Sequence, residues 1–534
     1  MTDGHDHFRT DHLDHDLAAR SARGSLVTLF ASAAKFIAGM GATMVLARLL
    51  RPDDFGVIAL AFVTVDIVAR LKDAGLFTAT VYSKHINQEQ ATTLFWMSVA
   101  LAGAAALITV ALAPAVGWFY RDARVISVTA ALAAVPFLDG VALQLEAVMS
   151  RQMRFMALAV MDAGALAAGV MVALLLAWAG AGYWALVGQE IFYSAVYTSV
   201  IWVVCAWRPG RPRRTSGVQH LVAFGLHLSG YRVLNYLAMN LDTAFVGRFW
   251  GLQQAGIYDR AYRVIATPST LLNGPLSTVA VPALSRLQGD TERYRTFYRT
   301  WIQFVFGLTM PLVAFLFVDT ERAILTILGD RWTGVAPIYR VLAPAAFIGR
   351  FNVVTNWLYL TTGRTDRQLR WSAILLVPMV IAYGIGVAWG ALGVAVAHTV
   401  VTCLLWYPSV AYCCRTAPVD PRDVCTVMIM PAAAAVGAGL GLLMARDVLP
   451  HPTAVSVAFV LDFVVYAAFY LVAWVVVPVG RRNVAQFIVL ARDAIAARPT
   501  AFPPLSPLAG QSADKTHVAN RANTMGSVAD EEPR

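Results

Sequence analysis

The chain has 534 residues, 58% of them hydrophobic and only 14% charged, with a net charge of +10. Soluble globular domains carry about a quarter charged residues, so this composition excludes a soluble enzyme and indicates many membrane spans. The positive balance gives no nucleic-acid signal, because the cations sit in short loops between apolar segments.

The chain opens on a polar tail, residues 1–20, with His5, His7, His12 and His15 among Asp3, Asp6, Asp11, Asp14 and Asp16. These are metal-ligand residue types, but tails of this composition read as disordered. The apolar run behind it is too long for a cleaved signal peptide and is therefore the first permanent span. A span takes about 20 mostly apolar residues. Fourteen runs qualify: 25–47, 56–81, 91–117, 124–147, 156–178, 183–206, 221–247, 256–281, 301–319, 334–361, 369–388, 391–413, 424–445 and 454–478. The fold class is an all-α polytopic membrane protein of about 14 transmembrane helices. Residues 481–498 put Val484, Phe487, Ile488, Ala491 and Ile495 on one helical face, which suits a helix lying on the inner leaflet. From Pro499 to the end, Pro-rich and then polar sequence reads as an unstructured tail. Cys205, Cys403, Cys413, Cys414 and Cys425 lie in or beside apolar spans without framework or metal spacing.

An even span count puts both termini on one side, and loop charge chooses the side. Twenty-one Lys and Arg fall in the loops on the termini side and nine in the opposite loops, which makes the termini cytoplasmic. The basic segment 208–220 then joins residues 21–207, spans one to six, to residues 221–415, spans seven to twelve. Residues 416–480 append two further spans.

The two halves echo each other. Arg48-Leu-Leu-Arg-Pro-Asp-Asp-Phe-Gly56 answers to Arg248-Phe-Trp-Gly-Leu-Gln-Gln-Ala-Gly256, and Trp178 and Gly182 answer to Trp389 and Gly393. Arg151 and Arg154 pair in the same way with Arg364 and Arg367. Parallel repeats of long apolar spans are a transporter architecture, with substrate held where the repeats meet.

Function is sought where charge is costly: each ionised group near the bilayer centre costs about 3 kcal/mol on insertion scales. Lys35 lies in line with Thr28, Ser32 and Gly39 in span one, either lining a wet cavity or pairing with an acid of a neighbouring helix. Asp66, Arg70 and Asp73 share a face of span two. Tyr231, Arg232, Asn235, Met239 and Asp242 share a strip of span seven that implies contact with water or ligand. Asp259, Arg260 and Arg263 open span eight, and Arg340 and Arg350 lie in span ten, Arg350 the deeper. The acids counted as fewer are Asp162, Glu190 beside Tyr193 and Tyr197, and Asp462, the last read as structural. The balance predicts a cleft lined by Lys35, Arg232, Asn235, Arg263 and Arg350, suited to phosphate oxygens. Asp66, Asp242 and Glu190 are candidates for carrying a coupling ion, or equally partners that keep a cation soluble in the bundle.

The segments Asp242-Thr-Ala-Phe-Val-Gly-Arg248, Gly256-Ile-Tyr258, Ala261-Tyr-Arg263 and Pro282-Ala-Leu-Ser285 carry a family resemblance. So do Ala47-Arg-Leu-Leu-Arg-Pro-Asp-Asp-Phe-Gly56, Gly75-Leu76 and Arg151-Gln-Met-Arg-Phe155. Over about residues 20–480 the chain resembles the Wzx-type lipid-linked oligosaccharide flippases, a polysaccharide transport family of the multidrug/oligosaccharidyl-lipid/polysaccharide superfamily. The resemblance implies two six-helix lobes facing each other in a V, with alternating access. It implies transfer of an undecaprenyl-diphosphate-linked repeat unit to the periplasmic leaflet of the bacterial inner membrane. Lys35, Arg232, Arg263 and Arg350 match the cationic lumen positions. The product would be an exopolysaccharide, capsule or lipopolysaccharide O-antigen, with a polymerase and chain-length regulator as partners. There is no Walker A or other Gly-rich phosphate loop, so no cofactor is expected and an ion gradient is the expected energy source. The rival readings are a cation or drug antiporter, which would line its cavity with acids, a membrane polymerase or glycosyltransferase, which would need a large outward loop, and a non-transporting scaffold.

Overall fold

Polar residues at the loop ends start the helices. The Asn87 side chain accepts from the Gln90 amide at 2.8 Å, and the Gln90 side chain returns a bond to the Asn87 amide at 3.2 Å, satisfying two otherwise orphaned donors. Asp290 accepts from the Arg293 amide at 3.1 Å, and Asp420 and Asp423 form a second reciprocal box with Pro421 in the first turn. Behind such caps the apolar sequence offers no competing turn chemistry and the helix runs on.

The computed structural model describes residues 34–72, 75–82, 86–211, 219–349, 351–448, 452–477 and 480–481, and is helical with no strand among them. The helices are α1 (34–49), α2 (Pro52–Lys72), α3 (Leu76–Tyr82), α4 (Gln88–Tyr120), α5 (Ala123–Leu132), α6 (Ala134–Arg151), α7 (Phe155–Trp178) and α8 (Trp184–Val204). They continue as α9 (Gln219–Arg286), α10 (Thr291–Val318), α11 (Thr320–Ile327), α12 (Val335–Ile348), α13 (Phe351–Thr361), α14 (Thr365–Gly386), α15 (Gly390–Cys414), α16 (Pro421–Arg446) and α17 (Val455–Val476). The N-terminal tail, most of the basic linker, Asp73, Arg350, the amphipathic segment after Arg481 and the C-terminal tail lie outside the described residues.

Each predicted run overlaps a helix, but not one helix each. Runs 56–81, 124–147 and 334–361 are split into α2 and α3, α5 and α6, and α12 and α13. Runs 221–247 and 256–281 are continuous as α9, broken only where Gly251 takes φ 81° and ψ −177°. Seven described segments are long and apolar enough to cross a membrane, one of them, Thr365–Cys414, holding both α14 and α15. The count of fourteen is therefore approximate. Helix α10 starts at Thr291, ahead of the predicted 301, because the Asp290 cap adds polar turns before the apolar part. The 319–334 connection contains α11 and a short 3-10 turn, Asp330–Trp332, whose Trp332 is fully buried.

The repeat has a more regular register than the side chains suggest. Met153 and Gly363 are both left-handed, Arg154 and Arg364 both cap the next helix, and Gly180 and Gly390 are both left-handed, each pair 210 positions apart. Arg154 thus corresponds to Arg364, not to Arg367.

Leu107, Val203 and Leu471 are more than half exposed on predominantly apolar helices, which suits surfaces that face lipid. Inside, one core cluster is built from both halves: Leu46, Leu50 and Phe55 pack with Leu252, Ile257, Tyr258 and Trp332. Two other clusters do not join the halves: one lies around Leu94, Leu145 and Trp207 in the first, and one around Tyr294, Phe306 and Trp357 links the second to Val424 and Val427 of the appended α16. The halves are therefore bound together at the end carrying Arg48 and Trp332. There the Trp332 indole donates to the Ala47 carbonyl at 2.8 Å, Arg48 donates to the Thr326 carbonyl at 2.9 Å, and Phe55 meets Trp332 edge-on at 5.1 Å. The most extensive helix pair is α2 with α9, one helix from each half.

Candidate substrate-binding site

Charged side chains from both halves come within electrostatic reach of Glu190 on α8. Asp162 lies seven residues into α7, about 10 Å from its start. It accepts two bonds from the Lys35 ammonium, at 2.7 and 2.8 Å, and one from the Tyr193 hydroxyl at 2.5 Å. The Lys35 ammonium also lies 5.2 Å from the centre of the Tyr193 ring. Lys35 thus does pair with an acid of a neighbouring helix, and yet its side chain stays 40% exposed and that of Asp162 32%. A pair sealed for structure alone would be dry; this one faces open space.

On the other half, Arg263 of α9 donates through Nε to both Asp259 oxygens, at 3.0 and 2.8 Å, with its side chain 52% exposed. Arg260 shares Asp259 at 2.9 Å but is only 12% exposed and stacks over Phe55 at 4.6 Å. It belongs to the joined end of the halves, and Arg263 reaches further in. The link between the halves is Glu190: half-buried on α8, it lies within electrostatic reach of Lys35, Asp66 and Asp139 of the first half and of Arg263 of the second. Asp66 likewise faces Arg70, Tyr236 and Arg263, and Arg70 sits 4.4 Å over the Tyr236 ring.

The strip on the first arm of α9 divides. Met239 is exposed, but Asp242 is sealed: it accepts from the Thr243 amide at 2.7 Å and from the Tyr258 hydroxyl at 2.9 Å, and it lies 3.8 Å from His398. His398 is itself hydrogen-bonded to the Tyr383 hydroxyl at 2.8 Å. The backbone places Arg232 and Asn235 on the same arm, while their side chains lie outside the described residues, as does Arg350. Arg340 pairs with Glu321 at 3.1 Å, away from the cluster. Asp462 holds Arg446 at 2.7 Å and also Arg322, tying α17 to α11 and α16.

A family model described as polysaccharide biosynthesis protein matches residues 45–337. The chain belongs to that family. It is similar to the lipopolysaccharide biosynthesis protein WzxC of Escherichia coli K12, 25% identical over 390 residues, 70% of this chain and 78% of the relative. It is also similar to the succinoglycan biosynthesis transport protein ExoT of Rhizobium meliloti, 26% identical over 302 residues, 56% of this chain and 60% of the relative. Among solved structures, the lipid II flippase MurJ in an inward closed conformation superposes with a TM-score of 0.67 at 12% identity, covering 84% of this chain and 98% of that one. That likeness establishes the fold: the all-helical, two-lobed flippase architecture expected from the Wzx resemblance.

In this polysaccharide biosynthesis protein the sequence had flagged Lys35, Asp66, Arg70, Asp162, Glu190, Tyr193 and Arg263, and the structure brings them together. It had missed Asp139 and Glu146, which sit on one face of α6. Asp139 accepts from the Ser194 hydroxyl at 3.0 Å, and Glu146 lies beside Tyr197. Their spacing of seven inside an apolar run was the available signal. With them, acids outnumber cations in this part of the site among the described residues, where a mainly basic lining was expected.

Proposed function

We propose that this protein moves an undecaprenyl-diphosphate-linked oligosaccharide repeat unit from the cytoplasmic to the periplasmic leaflet of a bacterial inner membrane, for exopolysaccharide, capsule or O-antigen assembly. The observation that carries this reading is the pair of half-exposed cations, Lys35 and Arg263, offered from opposite halves around Glu190. Part-exposed guanidinium and ammonium groups can reach phosphate oxygens, which they bind through charge-assisted hydrogen bonds. The first lobe would be residues 21–207, the basic linker 208–220, the second lobe 221–415, and the appended pair 416–480.

With both termini cytoplasmic, the joined end at Arg48 and Trp332 is periplasmic, and the described state takes cargo from the cytoplasmic side. Arg232 and Arg350 complete the cationic lining in this reading, and Asn235 adds a neutral hydrogen-bonding amide. Asp66, Glu190 and the sealed Asp242 beside His398 are the candidates for coupling to an ion gradient. No catalytic role is assigned, and a polymerase and a chain-length regulator are the expected partners.

The test is reconstitution in liposomes with a fluorescent undecaprenyl-diphosphate sugar. Protein-dependent loss of the probe from one leaflet is expected; transport no faster than in empty vesicles rejects the reading. The acids Asp66, Asp139, Glu146 and Glu190 favour a cation or drug antiporter as second reading. It predicts movement of a dye such as ethidium in the same vesicles and none of the lipid.

A further inference from the structure

The two described candidate cations share one arrangement that a simple anion trap does not need. Each cation already holds a carboxylate, and each carboxylate is less exposed than its cation: Lys35 at 40% against Asp162 at 32%, and Arg263 at 52% against Asp259 at 12%. A bilayer presents phosphodiester headgroups to such a protein in great excess over any diphosphate-linked cargo. Uncovered cations would fill with those headgroups.

We propose that Asp162 is a resident competitor for Lys35, which makes the site reject singly charged phosphodiester lipids and yield only to a diphosphate; this rests on the flippase reading above. Three helices build the device: Lys35 on α1, Asp162 on α7, and Tyr193 on α8, whose hydroxyl donates to Asp162 at 2.5 Å. An incoming anion must take the ammonium from a carboxylate that accepts two of its hydrogen bonds, at 2.7 and 2.8 Å. A phosphodiester replaces one negative charge with one and gains nothing net. A diphosphate brings additional charge and more acceptor oxygens, so it displaces Asp162 and still has oxygens left for a second cation such as Arg263, which like Lys35 lies within electrostatic reach of Glu190.

Asp162 is not stranded when displaced, because the Tyr193 hydroxyl remains on it. Partial exposure keeps the pair cheap to open, unlike a sealed ion pair. Asp139 and Glu146 on α6 and Glu190 on α8 surround this position, with Tyr197 beside them. Specificity here comes from a resident carboxylate that an incoming anion must out-compete as much as from attraction to the cargo.

The experiment uses the full chain in liposomes with two fluorescent probes, a short-chain prenyl-diphosphate sugar and phosphatidylglycerol. The wild type is expected to bind and move the first and not the second. Asp162→Asn is expected to bind the diphosphate probe about fivefold tighter and to begin moving phosphatidylglycerol, while Asp162→Glu keeps the exclusion. Unchanged probe selectivity and affinity in folded Asp162→Asn overturns the proposal. A measurement on the wild type does not depend on how the variants fold: the diphosphate probe should protect Lys35 from an amine-directed reagent, and phosphatidylglycerol should not. Equal protection by both lipids also overturns it. Should the wild type move neither probe, the flippase reading fails; should it move the diphosphate probe while Asp162→Asn stays selective, only the competitor role fails.

Discussion

Gly56 of α2 and Gly256 of α9 occupy equivalent places in the two repeats and touch each other's helices reciprocally. A Cβ on Gly56 would sit 1.9 Å from the Leu252 carbonyl oxygen, and one on Gly256 would sit 2.1 Å from the Pro52 carbonyl oxygen. Leu252 is to the second repeat what Pro52 is to the first, so the contact has the logic of a two-fold axis between the halves. Only glycine lets two helix backbones approach this closely.

Gly56→Ala and Gly256→Ala are each expected to lower stability by ~1–3 kcal/mol, the usual penalty for overpacking. The double variant should cost less than the two single effects together, because either change already forces the same helices apart. Thermal melts in detergent check this. Additive losses, or none, contradict the crossing.

Trp332→Phe removes the indole N–H that donates to the Ala47 carbonyl at 2.8 Å. Ala47 is fully buried, so losing that donor should cost ~1–3 kcal/mol. Because the bond joins the two halves, cysteines placed near residue 48 should become more reactive to a membrane-impermeant reagent added from outside. Unchanged reactivity contradicts a latch at that end.

Arg263→Ala is expected to weaken cargo binding about ten- to a hundredfold, the loss typical of one charge-assisted interaction, with expression unchanged. Arg263→Lys should recover part of it, since charge returns without the planar fork. Titration of the purified variants with the fluorescent cargo reads both. Full recovery by lysine means attraction alone matters at this position.

Asp122, in the loop between α4 and α5, caps α5 and pairs with Arg124 at 2.9 Å. The Arg124 side-chain bond holds its carboxyl below the usual range. Because the folded value is lowered, the stabilisation is present above the unfolded value, about pH 4, and is lost as pH falls through the folded value. Asp122→Ala should cost ~0.5–2 kcal/mol at pH 7 and flatten the acid limb of a stability-versus-pH curve. An identical acid limb in the variant contradicts this.

The sequence made the helical class, the approximate spans and the internal repeat readable, because apolar runs and positionally equivalent glycines are one-dimensional signals. Register was harder. Arg154 and Arg364 correspond because both precede a helix after a left-handed residue, Met153 or Gly363, and side-chain matching aligned Arg154 with Arg367 instead. Depth in a span also does not tell which way a group faces. Asp242 reads as part of a wet strip, yet Tyr258 and His398 enclose it. Pairing across 127 positions, as between Lys35 and Asp162, leaves no trace in a single sequence, so the cation and the acid were each visible and their partnership was not. Asp139 and Glu146 were legible in principle, seven apart within an apolar run, but nothing local distinguishes them from a structural pair.

The claim on which the rest depends is that cations from both halves hold the lipid diphosphate while it crosses. The direct measurement is transport of a fluorescent undecaprenyl-diphosphate sugar in liposomes by the Lys35→Ala/Arg263→Ala double variant, matched to wild type for folding and incorporation. The predicted result is transport reduced to the level of empty vesicles. Transport at the wild-type rate contradicts the account.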